Sequence, residues 1–165
     1  MDQLTQTPLT MATTVAGLAA GTTTTFTTAN TTLYSIRGKA YSKAAVTNSA
    51  TPTTDATTGA AFVAQAIGTG CVYVFGWDSS GAVKVSQGSQ VTLDPTGAFL
   101  TLPQFPAIPD TVCPFGYLLV RLAPSTATTP AVATWTFGTN NQSSVTGVTY
   151  ARQDVFTLPD RPQAS

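Results

Sequence analysis

Histidine and glutamate are both absent from this 165-residue chain, and all seven of its acidic residues are Asp. Each absence closes off chemistry. General acid–base catalysis near neutral pH rests mostly on His, or on carboxylates whose pKa values are shifted by burial and neighbours. Zinc and other transition-metal sites draw on His and clustered Cys. The only two thiols, Cys71 and Cys113, are far apart and form no CxxC pair. A Ser–His–Asp or Cys–His unit has no base here. The seven carboxylates, Asp2, Asp55, Asp78, Asp94, Asp110, Asp154 and Asp160, are scattered, so no local carboxylate pair is suggested. Asp94-Pro95-Thr96-Gly97 and Asp55-Ala56-Thr57-Thr58-Gly59 have the wrong spacing for an aspartic-protease motif and read as turns. Asp78-Ser79-Ser80-Gly81 offers too few spaced oxygen ligands for calcium. The expectation is a protein that is not an enzyme and carries no cofactor or metal.

Charge is also scarce. Only 8 % of residues are Asp, Lys or Arg, and net charge is zero, where average soluble domains carry about three times that fraction. The seven cations, Arg37, Lys39, Lys43, Lys84, Arg121, Arg152 and Arg161, form no stripe, which argues against nucleic-acid binding. Near-zero net charge favours association. No apolar run reaches transmembrane length. Met1–Gln6 lacks the basic start and apolar stretch of a signal peptide. Synthesis in a cytoplasm is therefore expected, with Cys71 and Cys113 reduced and buried as small hydrophobes. Without a secretory route, the sequons Asn30-Thr31-Thr32 and Asn141-Gln142-Ser143 read as chance matches.

What is present is Thr, β-branched residues and turn signals. Residues 1–32 are rich in Thr, Ala and Gly. Thr22–Thr28 reads as an edge strand or an extended N-terminal arm that orders against a partner. Met11–Ala20 is the one stretch that could pass for a short helix, weakened by Gly17 and its threonines. Residues 33–158 read as a β domain. Leu33–Ile36 and Ala40–Ser42 flank Arg37-Gly38-Lys39 as a hairpin. Residues 47–60 read as a long polar loop. Cys71–Trp77 and Ala82–Gln87 form a second hairpin around Asp78–Gly81, with Val83 and Val85 inward and Lys84 and Ser86 outward. Leu100–Pro109 carries too many prolines for a central strand and reads as an extended crossing. Further strands are expected at 116–123, 132–137 and 148–152, with a loop at 124–130. The tail, 159–165, is polar and extended. Seven to nine short strands without a long amphipathic helix indicate an all-β fold: a single β-sandwich, jelly roll or barrel.

Ile36-Arg37-Gly38-Lys39-Ala40-Tyr41 resembles the I-x-G-K-x-Y opening of small proteins encoded beside the capsid genes of tailed bacteriophages. Val72–Phe75 with Asp78–Gly88 is similar to the second block of that pattern. Leu102–Pro106 followed by Gly116–Val120 resembles the third, and Phe137-Gly138-Thr139 the fourth. The resemblance spans about residues 33–140, and it rests on the order of the blocks. It implies a capsid decoration (cement) protein or head fibre on the virion exterior. Such a protein contacts the major capsid protein and stiffens the shell, as a homo-oligomer for which a trimer is favoured. The resemblance carries over no site residues; on the reading of the residues themselves, Phe26, Phe105 and Ile108 are candidate partner contacts, and the last two could equally cap the end of a barrel. Two competing readings are a tail-fibre or receptor-binding module stacking host glycans on Trp77, Trp135 and Tyr150, and an adhesin-like domain with a Lys–Asn isopeptide bond.

Overall fold

A computed structural model describes residues 9–124 and 132–162. Among them there are thirteen strands and no helix. In chain order these are β1 (Met11–Ala12), β2 (Leu18–Ala20), β3 (Thr25–Thr28), β4 (Thr32–Ile36), β5 (Lys39–Lys43), β6 (Val46–Ala50), β7 (Gln65–Ala66), β8 (Thr69–Asp78), β9 (Val83–Gln87), β10 (Val91–Thr92), β11 (Val112–Leu122), β12 (Thr134–Trp135) and β13 (Val148–Asp154). All pairings are antiparallel. The central sheet runs β10-β8-β11-β13, with β9 also on β8. Two three-stranded sheets, β1-β4-β5 and β2-β3-β6, and a short β7-β12 pair complete the fold. None of these sheets closes, so the architecture is a sandwich rather than a barrel.

The long strands β8 and β11 are buried on both faces, which is why they read as near-continuous apolar runs. On the inner face, Cys71, Tyr73, Phe75 and Trp77 of β8 meet Leu118, Val120 and Leu122 of β11 and the side chains of the two three-stranded sheets. The core is strongly aromatic. Tyr73 stacks on Phe137 at 4.9 Å, Trp77 on Phe115 at 4.6 Å, and Trp135 meets Tyr73 edge-on at 5.7 Å. On the outer face, Val72, Val74, Tyr117 and Leu119 are covered by Phe99, Phe105, Ile108, Val155 and Leu158.

A β-bulge sets which residues of β11 face the core. Pro114 pairs with Gly76 and Gly116 with Phe75, leaving Phe115 as the extra residue. The bulge resets the period-2 alternation, so Phe115 joins Leu118 on the inner face while Tyr117 turns outward. It also explains how a central strand tolerates Pro114. Gly76 is required opposite it: a Cβ there would sit 2.4 Å from Val112 Cγ1 and 2.8 Å from the Cys113 carbonyl oxygen.

Both hairpins form as the sequence suggests. Ile36 pairs with Lys39 across a two-residue turn in which Arg37 and Gly38 have φ of 50° and 79°, the type I′ arrangement. Trp77 pairs with Val83, and the Asp78 carboxylate accepts from the amides of Ser80 and Ala82. Five expectations change. Residues 9–32, read as an arm or edge strand, supply β1–β3 and the start of β4, and Ala12, Ala16, Leu18 and Phe26 lie in the core. Met11–Ala20 holds strands β1 and β2 rather than a helix, because each finds a sheet partner. The first part of the 47–60 loop belongs to β6, paired with β3. Ser86 is buried rather than outward, since both faces of the central sheet are covered. The 132–137 strand shortens to Thr134–Trp135. The loop expected at 124–130 lies outside the described residues beyond Pro124.

Candidate functional site

Two segments without regular structure flank the central sheet: 51–64 runs along the edge of β9 and sends Phe62 into the inner core, while 98–110 lays Phe99, Phe105 and Ile108 over the outer face. Asp55 organises the first. Its Oδ1 accepts from the amides of Thr57 and Thr58, each at 2.8 Å, and from the Thr58 hydroxyl. Its Oδ2 accepts from the Gln87 amide at 2.6 Å. The Ala56 amide donates to the Val85 carbonyl. The loop therefore occupies the free edge of β9 with hydrogen bonds that a strand would otherwise make. Thr57 then ties the two segments together, its hydroxyl bonding the Ala107 carbonyl at 2.6 Å and Ser86 Oγ at 2.9 Å.

Two glutamines extend this clamp. Gln87 accepts from the Val63 amide and donates to the Val63 carbonyl; Gln90 accepts from the Ala66 amide and donates to the Ala64 carbonyl. Each side-chain amide thus mimics a strand's donor–acceptor pair. A groove of about 530 Å³ lies beside them, lined by Thr58, Ala60, Ala61, Val63 and residues 87–90. Val63, Leu100 and Leu102 are exposed large apolar residues of these segments and their neighbours, at 65, 64 and 51 %. Of the three, Val63 lines the groove, and exposed apolar side chains of this kind can bind by shape and apolar contact.

The residues singled out from sequence separate clearly. Phe26 is 1 % exposed and packs on Phe75 and Trp77, so it is withdrawn from any partner. Phe105 and Ile108 are half-buried over the outer face, Phe105 edge-on to Tyr117 at 5.2 Å. They cover a sheet face, since no barrel end exists for them to cap. Trp77 and Trp135 are 1 and 0 % exposed, so neither ring is available to stack on a sugar. Tyr150 is half-buried against Trp135, its hydroxyl donating to the Asn141 carbonyl. Sequence reasoning missed the Asp55–Gln87–Gln90 clamp. Its only local signal was the Asx/Thr content of 54–58; the reach to Gln87 spans 32 positions.

The titratable groups are quiet. Burial pushes the Cys71 thiol up to about 11 and the Cys113 thiol up to about 12, which disfavours the nucleophilic thiolate. Trp77 and Val120 are the β-ladder partners of Cys113 and Cys71. The thiols are therefore six residues apart along the sheet, about 20 Å at strand rise and far beyond disulfide reach. Among the described residues, no group of three or more Cys and Asp is placed to hold a metal ion. Asp78 and Asp94 head similar turns. Burial pulls Asp78 upward, but the Ser80 hydroxyl and the Ala82 and Ser80 amides outweigh it and lower its pKa. The Thr96 hydroxyl and the Ala98 amide lower that of Asp94.

Comparison with known proteins finds no matching family model, and no match among curated proteins or solved structures.

Proposed function

We propose that this chain is a structural, non-catalytic protein of the phage virion that binds the outer surface of the capsid and stabilises the shell. The observation that carries this reading is the ordered set of sequence blocks resembling decoration proteins. In the fold, 36–41 is the first hairpin turn, 72–88 covers most of β8 and all of β9, and 116–120 lies within β11, while 102–106 and 137–139 lie outside the strands. The chemistry of the surface agrees with such a role. A low-charge, Thr-rich exterior suits wet, shape-matched contact, and the apolar residues Val63, Leu100 and Leu102 offer anchors for a capsid partner. Repeated sites on a shell lattice reward many modest contacts through multivalency. The major capsid protein is the partner, and the protein is made in the host cytoplasm.

Mixing purified protein with undecorated capsids of its phage tests this. Co-sedimentation should saturate at a fixed number of copies per capsid, and images of the particle should place the chain on the shell. Failure to bind the shell, or density confined to the tail, refutes the proposal.

A further inference from the structure

The edges of the sheets are not treated alike. On one side of the central sheet, Asp55 and Ala56 occupy the edge of β9, and Leu100 donates to the Thr92 carbonyl beside β10. The outer strand β5 carries Lys39 and Lys43 at its two ends. In β6, Asn48 sits at a φ of 51° and the pairing with β3 breaks register there. Covering loops, edge lysines and bulges are the devices by which proteins prevent strand-to-strand association. Among the described residues, β13 has none of them. It is a seven-residue outer strand with no Lys, Pro or bulge.

The ladder shows which of its backbone groups point outward. Ala123 donates to the Gly147 carbonyl and Val155 to the Phe115 carbonyl. Antiparallel pairs alternate between bonded and non-bonded, so Thr149, Ala151 and Gln153 bond β11. Val148, Tyr150, Arg152 and Asp154 face away. The Val148 amide is already given to Val145, and Phe156 beyond the strand accepts from Ala12. The main-chain N–H and C=O of Tyr150 and Arg152 have no partner among the described residues.

We propose that this edge joins two copies of the chain, β13 pairing antiparallel with β13 of the second copy about a two-fold axis at Ala151. In that register Tyr150 lies opposite Arg152 of the other copy, and Arg152 opposite its Tyr150. These two bonded pairs use the free groups just named and need no other. A shift that centred the axis on Arg152 would set two guanidinium groups against each other, which is unfavourable. Centring it on Tyr150 would place Arg152 opposite Val148, whose amide is spent. The Ala151 register instead sets Arg152 opposite an aromatic ring, a pairing it already makes within its own chain at 5.8 Å. It also sets the exposed Thr149 opposite the exposed Gln153. The interface is isologous, and it merges two central sheets into one.

The free protein, with no capsid present, tests this separately from shell binding. Sedimentation equilibrium should show a monomer–dimer equilibrium. Thr149→Glu with Gln153→Glu puts like charges opposite each other twice and should weaken dimerisation about tenfold. Thr149→Glu with Gln153→Lys should restore wild-type affinity or better. Both positions are exposed, so the monomer fold tolerates these changes. Ala151→Cys lies at a non-bonded pair on the axis, about 4.5 Å between Cα atoms, within disulfide range. Oxidation with diamide should link it into a covalent dimer. A protein that stays monomeric up to about 100 μM, an oligomer indifferent to the Glu/Glu pair, or an Ala151→Cys variant that does not cross-link each overturns the proposal.

Discussion

Replacing Asp55 by Ala tests the clamp at the edge of β9 most directly. The carboxylate is 5 % exposed and accepts from three backbone amides, those of Thr57, Thr58 and Gln87. Hydrogen bonds to a charged group contribute about 1.5–3 kcal/mol each when the partner stays buried. Thr57 and Thr58 are exposed, so water can take over their amides and their loss counts for less, about 0.5–1 kcal/mol each. The Gln87 amide at the edge of β9 costs more, about 1.5–2 kcal/mol. The expected loss is about 3 kcal/mol, or about 6–12 °C in Tm for a domain of this size. Asp55→Asn keeps one acceptor for the loop amides but turns an NH2 toward the Gln87 amide, and about 1–2 kcal/mol is expected. Urea denaturation followed by tryptophan fluorescence reads both, with the midpoint shifting and the slope unchanged. An Ala variant within about 0.5 kcal/mol of wild type, or an Asn variant as damaged as Ala, would show that Asp55 does not hold the loop.

Three further outcomes follow from the geometry. Gly76→Ala forces a Cβ against Val112 and the Cys113 carbonyl and should destabilise by about 2–3 kcal/mol, measured by the same unfolding curve. Cys71 and Cys113, both fully buried, should not react with a thiol reagent at pH 8 until the protein is unfolded; rapid native labelling would contradict their placement. Stability should be flat between about pH 5 and 8, since no His or Glu titrates there. Below this window the lowered Asp78 and Asp94 contribute stability that is present above their ordinary carboxylate range and is lost as pH falls through their folded values. Above it, Cys71 and Cys113 ionise near 9 when unfolded but only at about 11 and 12 when folded. Their contribution is therefore complete below pH 9 and is lost as pH rises toward those values. Thermal melts across pH 3–11 check both limbs, and a maximum near pH 4 or pH 10 would refute the assignment.

The local signals were legible wherever neighbouring residues alone decide the conformation. The Arg37-Gly38 and Asp78–Gly81 turns, the strands around them and the all-β class follow from positive-φ residues, side-chain caps and period-2 patterning. The prolines of 103–109 correctly excluded a ladder there. The burial of Trp77 and Trp135, by contrast, could not be read from alternation, because a strand's pattern says which residues share a face and not what covers it. Ser86 shows the same limit: its face is polar in sequence but lies under the Thr57 loop.

The absence of His and Glu, the scarcity of charge and the turn chemistry are properties of the sequence by itself. They fix a quiet titration profile and an all-β chain, since both depend on which side chains exist and on local backbone preference. Tertiary structure alone decided that residues 9–32 belong to the sandwich, that Phe115 rather than Tyr117 faces the inner core, and that β13 pairs, among the described residues, with β11 alone. Each of these depends on register and on contacts across tens of residues, where a one-residue bulge at Pro114–Gly116 inverts the faces. Pairing energies between distant strands, invisible in any short window, made those choices.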